Sequence, residues 1–219
     1  GVLQNGFFAT VNDYPIAGGW GLKGKFFAVG DAGGSIHTFD GTSGQEVWKN
    51  PQAHLGGILS MSASSNGKQL ASVGQDGQLA LWDFADGQMQ HRTEIASGWV
   101  EHVAWSKSSN HLAVSSGRVL TILSSSGEKI WSSENHPSTV SALGWVTDQE
   151  ISTACYGRVT FFNSSSGQEN ERLEWQGSLV SLALSPDGNV VACGSQDKSV
   201  HFWRRSNGQD SMMSGYPWK

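Results

Sequence analysis

The chain has 219 residues, 37% hydrophobic and only 15% charged, with 28 glycines and 10 tryptophans and a formal net charge of -5. Such a composition excludes a charged disordered tail, is long enough to bury a core and carries no charge-rich or proline-rich linker, so one turn-rich globular β domain is expected. The negative balance, with 14 Lys and Arg residues that never cluster beyond Arg204-Arg205, argues against nucleic acid as a ligand. No apolar run is long enough to span a bilayer, and the N-terminal GVLQNGFF lacks a basic region ahead of an apolar stretch, so no membrane association is expected. Cys155 and Cys193 lack the paired spacing of a zinc or redox motif, which favours two buried thiols in a reducing, cytoplasmic (intracellular) setting.

Taken in chain order, the predicted elements repeat. Residues 1-12 read as a strand of a preceding or closing unit. Then SIHTFDGTSG, QLALWDFADG, RVLTILSSSG, RVTFFNSSSG and SVHFWRRSNG each end in glycine five residues after an aromatic or aliphatic anchor. The anchors Phe39, Trp82, Ile122, Phe162 and Trp203 are spaced by 43, 40, 40 and 41 residues, near the period of a four-stranded propeller blade. Within a copy the apolar pattern has period two, broken by turns such as SPDG (185-188), SSNG (64-67) and SKSS (106-109), and helical spacing is sustained nowhere. The expected blades are 13-53, 54-95, 96-135, 136-174 and 175-215, with 216-219 leading toward a further blade.

With Trp82-Asp83 closing a third strand, the ASVGQDG turn before it, SPDG, and His54 and His136 in the segments leading into blades, the chain resembles the WD-repeat (WD40) β-propeller family over residues 13 to 219. The third and fourth copies depart from that pattern: they carry Ile122 and Phe162 in place of Trp, shorten the middle turn to SSGR and CYGR, and lose the turn aspartate, while the first copy has no matching histidine. The resemblance implies an all-β propeller of four-stranded antiparallel blades, with five copies forming part of a ring of about seven. Missing sequence or another chain would then supply the remaining blades, because an open arc leaves two apolar blade faces wet.

The resemblance also implies a buried structural network of His54, Ser72, Asp76 and Trp82. A turn carboxylate and an indole N–H inside a sheet stack need partners. A serine, a histidine and an aspartate are also the parts of a hydrolase. Yet Ser72 falls in mid-strand and lacks the GxSxG elbow that would expose it, so a structural role is expected. In the last copy the same positions hold Trp175, Cys193, Asp197 and Trp203, a set unable to do that chemistry.

In propellers of this kind one face, built from the lead-in segments and the middle turns, does the binding. The residues expected there are Gly57, Leu59, Trp99, Glu101, Thr139, Ser141, Ser178 and Val180, with Gln75, Tyr156 and Gln196 from the turns. Trp99, Glu101, Tyr156, Gln75 and Gln196 form the candidate site for a protein or peptide partner, Trp and Tyr being large, stiff anchors. Trp20, Trp105 and Trp145 share one repeat position and are expected in the core; Trp48 and Trp131 follow the SG turn on the outer strand and are expected to serve blade packing. The seven histidines form no metal pattern, and no cofactor is implied. The function expected is a non-enzymatic interaction scaffold, with a lectin-like binder as alternative and a hydrolase third. Against the lectin, one equivalent slot holds Gly57, Trp99, Thr139 and Ser178, which share no chemistry.

Overall fold

The computed structural model describes residues 6–205 and, by backbone alone, 209–213. Its contacts divide into two compact units, residues 1–103 and 104–219. Apart from a three-residue 3-10 turn at Leu22–Gly24, every regular element among the described residues is a β-strand.

The first unit contains two four-stranded antiparallel sheets. One is β1 (Pro15–Gly21), β2 (Phe26–Asp31), β3 (Ile36–Asp40) and β4 (Glu46–Asn50); the other is β5 (Ile58–Ala63), β6 (Gln69–Gly74), β7 (Gln78–Asp83) and β8 (Met89–Glu94). Both meander in sequence order, as short turns between antiparallel strands dictate. Phe26, Ala28 and Ile36 of the first sheet pack with Ile58, Leu70, Trp82 and Phe84 of the second in one buried cluster.

A third sheet comprises β9 (His102–Trp105), β10 (His111–Ser116), β11 (Val119–Ser124) and β12 (Lys129–Ser132). The fourth and fifth copies share one six-stranded sheet: β13 (Ala142–Thr147), β14 (Glu150–Asn163), β15 (Glu169–Leu184), β16 (Val190–Ser195), β17 (Val200–Arg204) and β18 (Gln209–Met213). Here β14 stands in for two blade strands: residues 150–154 pair with β13, and 158–162 pair with β15. The cause is the shortened middle turn. In the third copy Gly117 (φ 52) and Arg118 close a two-residue hairpin between Ser116 and Val119, and Gly157 (φ 86) holds the same place inside β14. The join between copies is also short, so β15 passes from one into the next and the division expected between residues 174 and 175 falls inside an unbroken strand.

The repeated turns have a common construction. In SSNG, SKSS and SPDG the serine hydroxyl accepts a backbone N–H five residues on, from Gln69 (2.9 Å), His111 (3.2 Å) and Val190 (2.9 Å). At or beside the anchors Phe39, Trp82, Ile122 and Phe162, pairing with the following strand shifts register, so the first four copies leave the third strand through a bulge, whereas β17 and β18 pair in unbroken register.

Two expectations are corrected. The N-terminal segment forms no strand over residues 6–12, its described part. Phe7 packs where a Cβ on Gly44 would lie, and Asn12 accepts from Lys49 Nζ (2.9 Å), so side chains rather than a backbone ladder carry it past β4. Trp20 is 54% exposed, whereas Trp105 and Trp145 are each 7% exposed. Trp145 gains cover from the preceding blade, its indole donating to the Ala104 carbonyl (3.1 Å); Trp20, in the first sheet of the chain, packs on Phe27 of the adjacent strand, with ring centroids 4.9 Å apart. Residues 216–219 lie outside the described residues.

Candidate protein-interaction site

The structure brings His54, Ser72, Asp76 and Trp82 into one hydrogen-bonded chain. His54 Nδ1 lies 2.9 Å from Asp76 Oδ1, its Nε2 lies 2.8 Å from Ser72 Oγ, and the Trp82 indole donates to that same hydroxyl at 2.8 Å. Every donor is used when the imidazole is neutral with its proton on Nδ1: His54 donates to Asp76, Ser72 donates to His54, and Trp82 donates to Ser72. Burial lowers the His54 pKa and outweighs the opposing pull of Asp76. Burial also raises that of Asp76, but the hydrogen bond from His54, with those from the backbone N–H groups of Leu55 and Gln78, holds it below the usual carboxylate value. Ser72 and Trp82 are fully buried (0% and 1% exposed), and the hydroxyl already accepts from Trp82 and donates to His54, so it lacks the access that a nucleophile needs.

Other copies satisfy the same need by different routes. His136 keeps the hydroxyl half, with Nε2 2.9 Å from Thr153 Oγ1, but its Nδ1 donates to the backbone carbonyl of Arg118 (2.9 Å) where a turn aspartate is lacking. The missing Trp is replaced by Phe162, which meets the imidazole edge-on with centroids 5.7 Å apart. In the first copy the turn aspartate Asp31 faces a histidine from the third strand: His37 Nε2 is 3.6 Å from Asp31 Oδ2, and His37 Nδ1 is 2.8 Å from Glu46. In the last copy Asp197 closes its own turn on Ser199, Trp175 lies tilted against His201 (centroids 3.5 Å apart, planes at 38°), and Cys193 is a buried thiol whose pKa burial pushes up to about 12.

Burial lowers the pKa of His136 as well. Both imidazoles, His54 and His136, therefore favour the neutral form in the folded state. Their contribution is complete above the unfolded histidine value of about 6.5 and is lost as pH falls below it, at up to about 1.4 kcal/mol per pH unit for each group. The urea midpoint is expected to drop between pH 7.5 and 5.5; a midpoint that holds or rises would contradict this proton placement.

The expected face residues are distributed between the units. In the first, Gln75 in the β6–β7 turn is exposed, with its backbone N–H donating to the Gly57 carbonyl (3.0 Å) and its side-chain oxygen accepting from Gly57 N–H (3.1 Å). The Val100 N–H donates to the Gly74 carbonyl (3.1 Å), which seats the neighbouring Trp99, 56% exposed, beside that turn. Glu101 is half-buried, and Gly57 is buried against the Ala32 carbonyl and Gln75, so it offers a partner nothing. In the second unit Gln196 is exposed with its N–H on the Ser178 carbonyl (2.9 Å), and Tyr156, 57% exposed, donates its N–H to Ser138 Oγ (2.9 Å). In all three copies the residue at this turn position is pinned by its backbone to the segment leading into strand one, which leaves its side chain outward.

Sequence reasoning missed Leu55. It is 79% exposed, its N–H donates to Asp76 Oδ2 (3.0 Å), and it stands on the same lead-in segment as Gly57. The available signal was an apolar residue directly after the lead-in histidine of an otherwise polar loop.

Also missed was a clasp between consecutive blades. Trp48 of β4 donates its indole N–H to the Phe84 carbonyl (2.9 Å) and lies against Gly87; Trp131 of β12 donates to the Ser164 carbonyl (2.6 Å) and lies against Gly167. A Cβ on Gly87 or Gly167 would come within 3.0 Å of the ring, so the turn glycine is the receiving socket. Four residues after the turn glycine of the fourth copy stands Glu171 instead of Trp, and its carboxylate takes Arg205 Nε at 2.6 Å. Arg205 also forks onto Glu150 (2.8 and 3.1 Å) and lies 4.1 Å over the Phe161 ring.

Four-stranded antiparallel blades, repeated turn by turn and tied by histidine–hydroxyl pairs, define a WD-repeat β-propeller protein. A family model described as outer membrane protein assembly factor BamB matches residues 32–209, and the chain belongs to that propeller-type family. It is 28% identical over 148 residues to meiotic fizzy-related protein 1 of Schizosaccharomyces pombe, covering 64% of this chain and 35% of that one. It is 23% identical over 233 residues to the B-type cell cycle switch protein ccs52B of Medicago truncatula, covering 84% and 48%. The chain thus spans less than half the length of these curated relatives. Among solved structures U3-55K, a WD40 propeller, superposes with a TM-score of 0.83 at 18% identity, over 94% of this chain and 65% of that one.

No helix among the described residues is long and apolar enough to cross a membrane. No group of three or more His, Cys, Asp or Glu side chains among them is placed to hold a metal ion.

Proposed function

We propose that this protein is a non-enzymatic scaffold that engages protein or peptide partners through the loop face of each unit, which carries Trp99, Glu101 and Gln75 in one and Tyr156 and Gln196 in the other. The observation that carries the reading is the exposure of Trp99 and Tyr156, two stiff aromatic side chains that soluble folds ordinarily cover, on backbone pinned at the blade turns. Leu55 extends the apolar part of that face. The serine, histidine and aspartate that could have served a hydrolase are spent on each other and sealed from water. In this reading nucleic acid and membrane are not partners, in keeping with the net charge of -5, and the two unbridged buried cysteines suit an intracellular setting.

Affinity capture from a native extract tests the reading. Trp99→Ala and Leu55→Ala should each lose a captured partner while shifting Tm by less than about 2 °C, because neither side chain is buried. Hydrolysis of an ester, phosphate or glycosidic substrate that a face variant abolishes would replace the scaffold with an enzyme.

A further inference from the structure

Between the outer strand β12 and the strands β14 and β15 lies a cavity of about 400 Å³, within the range of small-ligand sites. Trp131 and Phe162 form its apolar wall, and Arg158, Thr160, His136 and Arg172 line the rest. Two of these polar groups are unsatisfied. Thr160 is 2% exposed and its hydroxyl has no hydrogen-bond partner among the described residues; the same is true of the buried Arg158 Nε–H. An orphaned buried donor is costly, more so on a charged group, and calls for an acceptor.

The neighbouring groups are already committed. Arg172 is paired with Glu169 at 2.8 Å, and both nitrogens of His136 are taken, by Arg118 and Thr153. Glu134 and Glu169 also line the cavity, so a doubly charged phosphoryl group would meet two like charges. A single carboxylate, with one oxygen for each orphaned donor, suits the remaining space. The aromatic wall beside those donors suits an apolar residue next to the acid.

We propose that this cavity binds an aspartate or glutamate side chain of a partner polypeptide, its carboxylate accepting from Arg158 Nε–H and the Thr160 hydroxyl while an adjacent apolar residue lies on Trp131 and Phe162. This is a second contact site, built on residues other than those named for the loop face, and it rests on the scaffold reading only in taking the partner to be a polypeptide.

Calorimetric titration of the intact chain with the blocked peptide Ac-Leu-Asp-Leu-NH2, its Asn counterpart and inorganic phosphate provides the test. The Asp peptide should bind at least roughly tenfold more tightly than either of the others, since charge-assisted bonds are lost without the carboxylate. Arg158→Gln should erase the preference for Asp over Asn. Thr160→Val keeps the side-chain shape and removes an unpartnered hydroxyl, so it should raise Tm by about 2–4 °C while weakening the Asp peptide roughly fivefold. Equal binding of the Asp and Asn peptides, preference for phosphate, no peptide binding, or unchanged affinity in Thr160→Val would overturn the proposal. Should Arg158→Gln fail to fold, Thr160→Val alone decides. Capture through Trp99 does not involve Thr160, so a Trp99→Ala variant that keeps its captured partner while the peptide still binds the unaltered chain faults the scaffold reading alone, and Trp99-dependent capture without peptide binding faults this site alone.

Discussion

Replacing Ser72 with Val is expected to cost roughly 2–5 kcal/mol, the largest effect of any single polar substitution in the first unit, because it orphans two buried groups, the Trp82 indole N–H and His54 Nε2, at about 1–3 kcal/mol each. Val carries one γ-atom more than Ser at a fully buried site, so overpacking adds to the loss and the single substitution does not isolate the hydrogen bonds. The comparison that isolates the hydrogen bonds is a double-mutant cycle with Trp82→Phe, which removes the indole donor. In the pair Ser72→Val/Trp82→Phe the total loss should fall at least about 1 kcal/mol short of the sum of the two single losses. Additive losses in urea unfolding would mean that Ser72 and Trp82 do not share a bond that matters.

Arg205→Leu is the corresponding experiment in the second unit, with an expected loss of about 3 kcal/mol. The guanidinium holds Glu150 and Glu171, and the side chains of Arg205 and Glu150 are each only 17% exposed. Removing it leaves two carboxylates facing each other in a poorly hydrated setting, where breaking a buried pair costs more than the pair contributes. Arg205→Lys should recover less than half of the loss, because an ammonium cannot reproduce the fork on Glu150 or the planar contact with Phe161. A loss below about 1 kcal/mol for Arg205→Leu would place this cluster with ordinary surface ion pairs.

The propeller was legible in the sequence because stacking sheets impose one spacing on apolar anchors, and the 40- to 43-residue steps between Phe39 and Trp203 carry that spacing even where Trp has become Ile122 or Phe162. The residues that meet around Ser72 were legible through the family resemblance, which implies a network of His54, Ser72, Asp76 and Trp82. What replaced them elsewhere was not. At His136 the acceptor is the Arg118 carbonyl, and every residue has a carbonyl, so nothing in the letters marks it. In the first copy the histidine moved to the third strand as His37, two residues before its anchor, where the family pattern gives no reason to seek it. Trp20 was misplaced for a related reason. Equivalence by repeat predicts equivalent burial only when the neighbouring blade is equivalent too, and Trp145 has Ala104 to reach whereas Trp20 has Phe27 of its own sheet. The exposed Trp99 and Tyr156 could be assigned to loops by position, but exposure itself follows from packing that no single copy encodes.

The indole clasp bears on how such repeats can be exchanged. Trp48 and Trp131 each carry half of a joint whose other half, a glycine-closed turn with an open carbonyl, is written about 33 to 39 residues later in the next copy. A first or third copy moved to a new position therefore arrives with a plug for its successor, and a second or fourth copy with a receptacle for its predecessor. Where the neighbours speak the charged dialect of Glu171 and Arg205, the indole meets an arginine rather than a bare turn. Transplanting copies in matched pairs is then the rule this architecture sets, and a lone graft between mismatched neighbours would lose its joint.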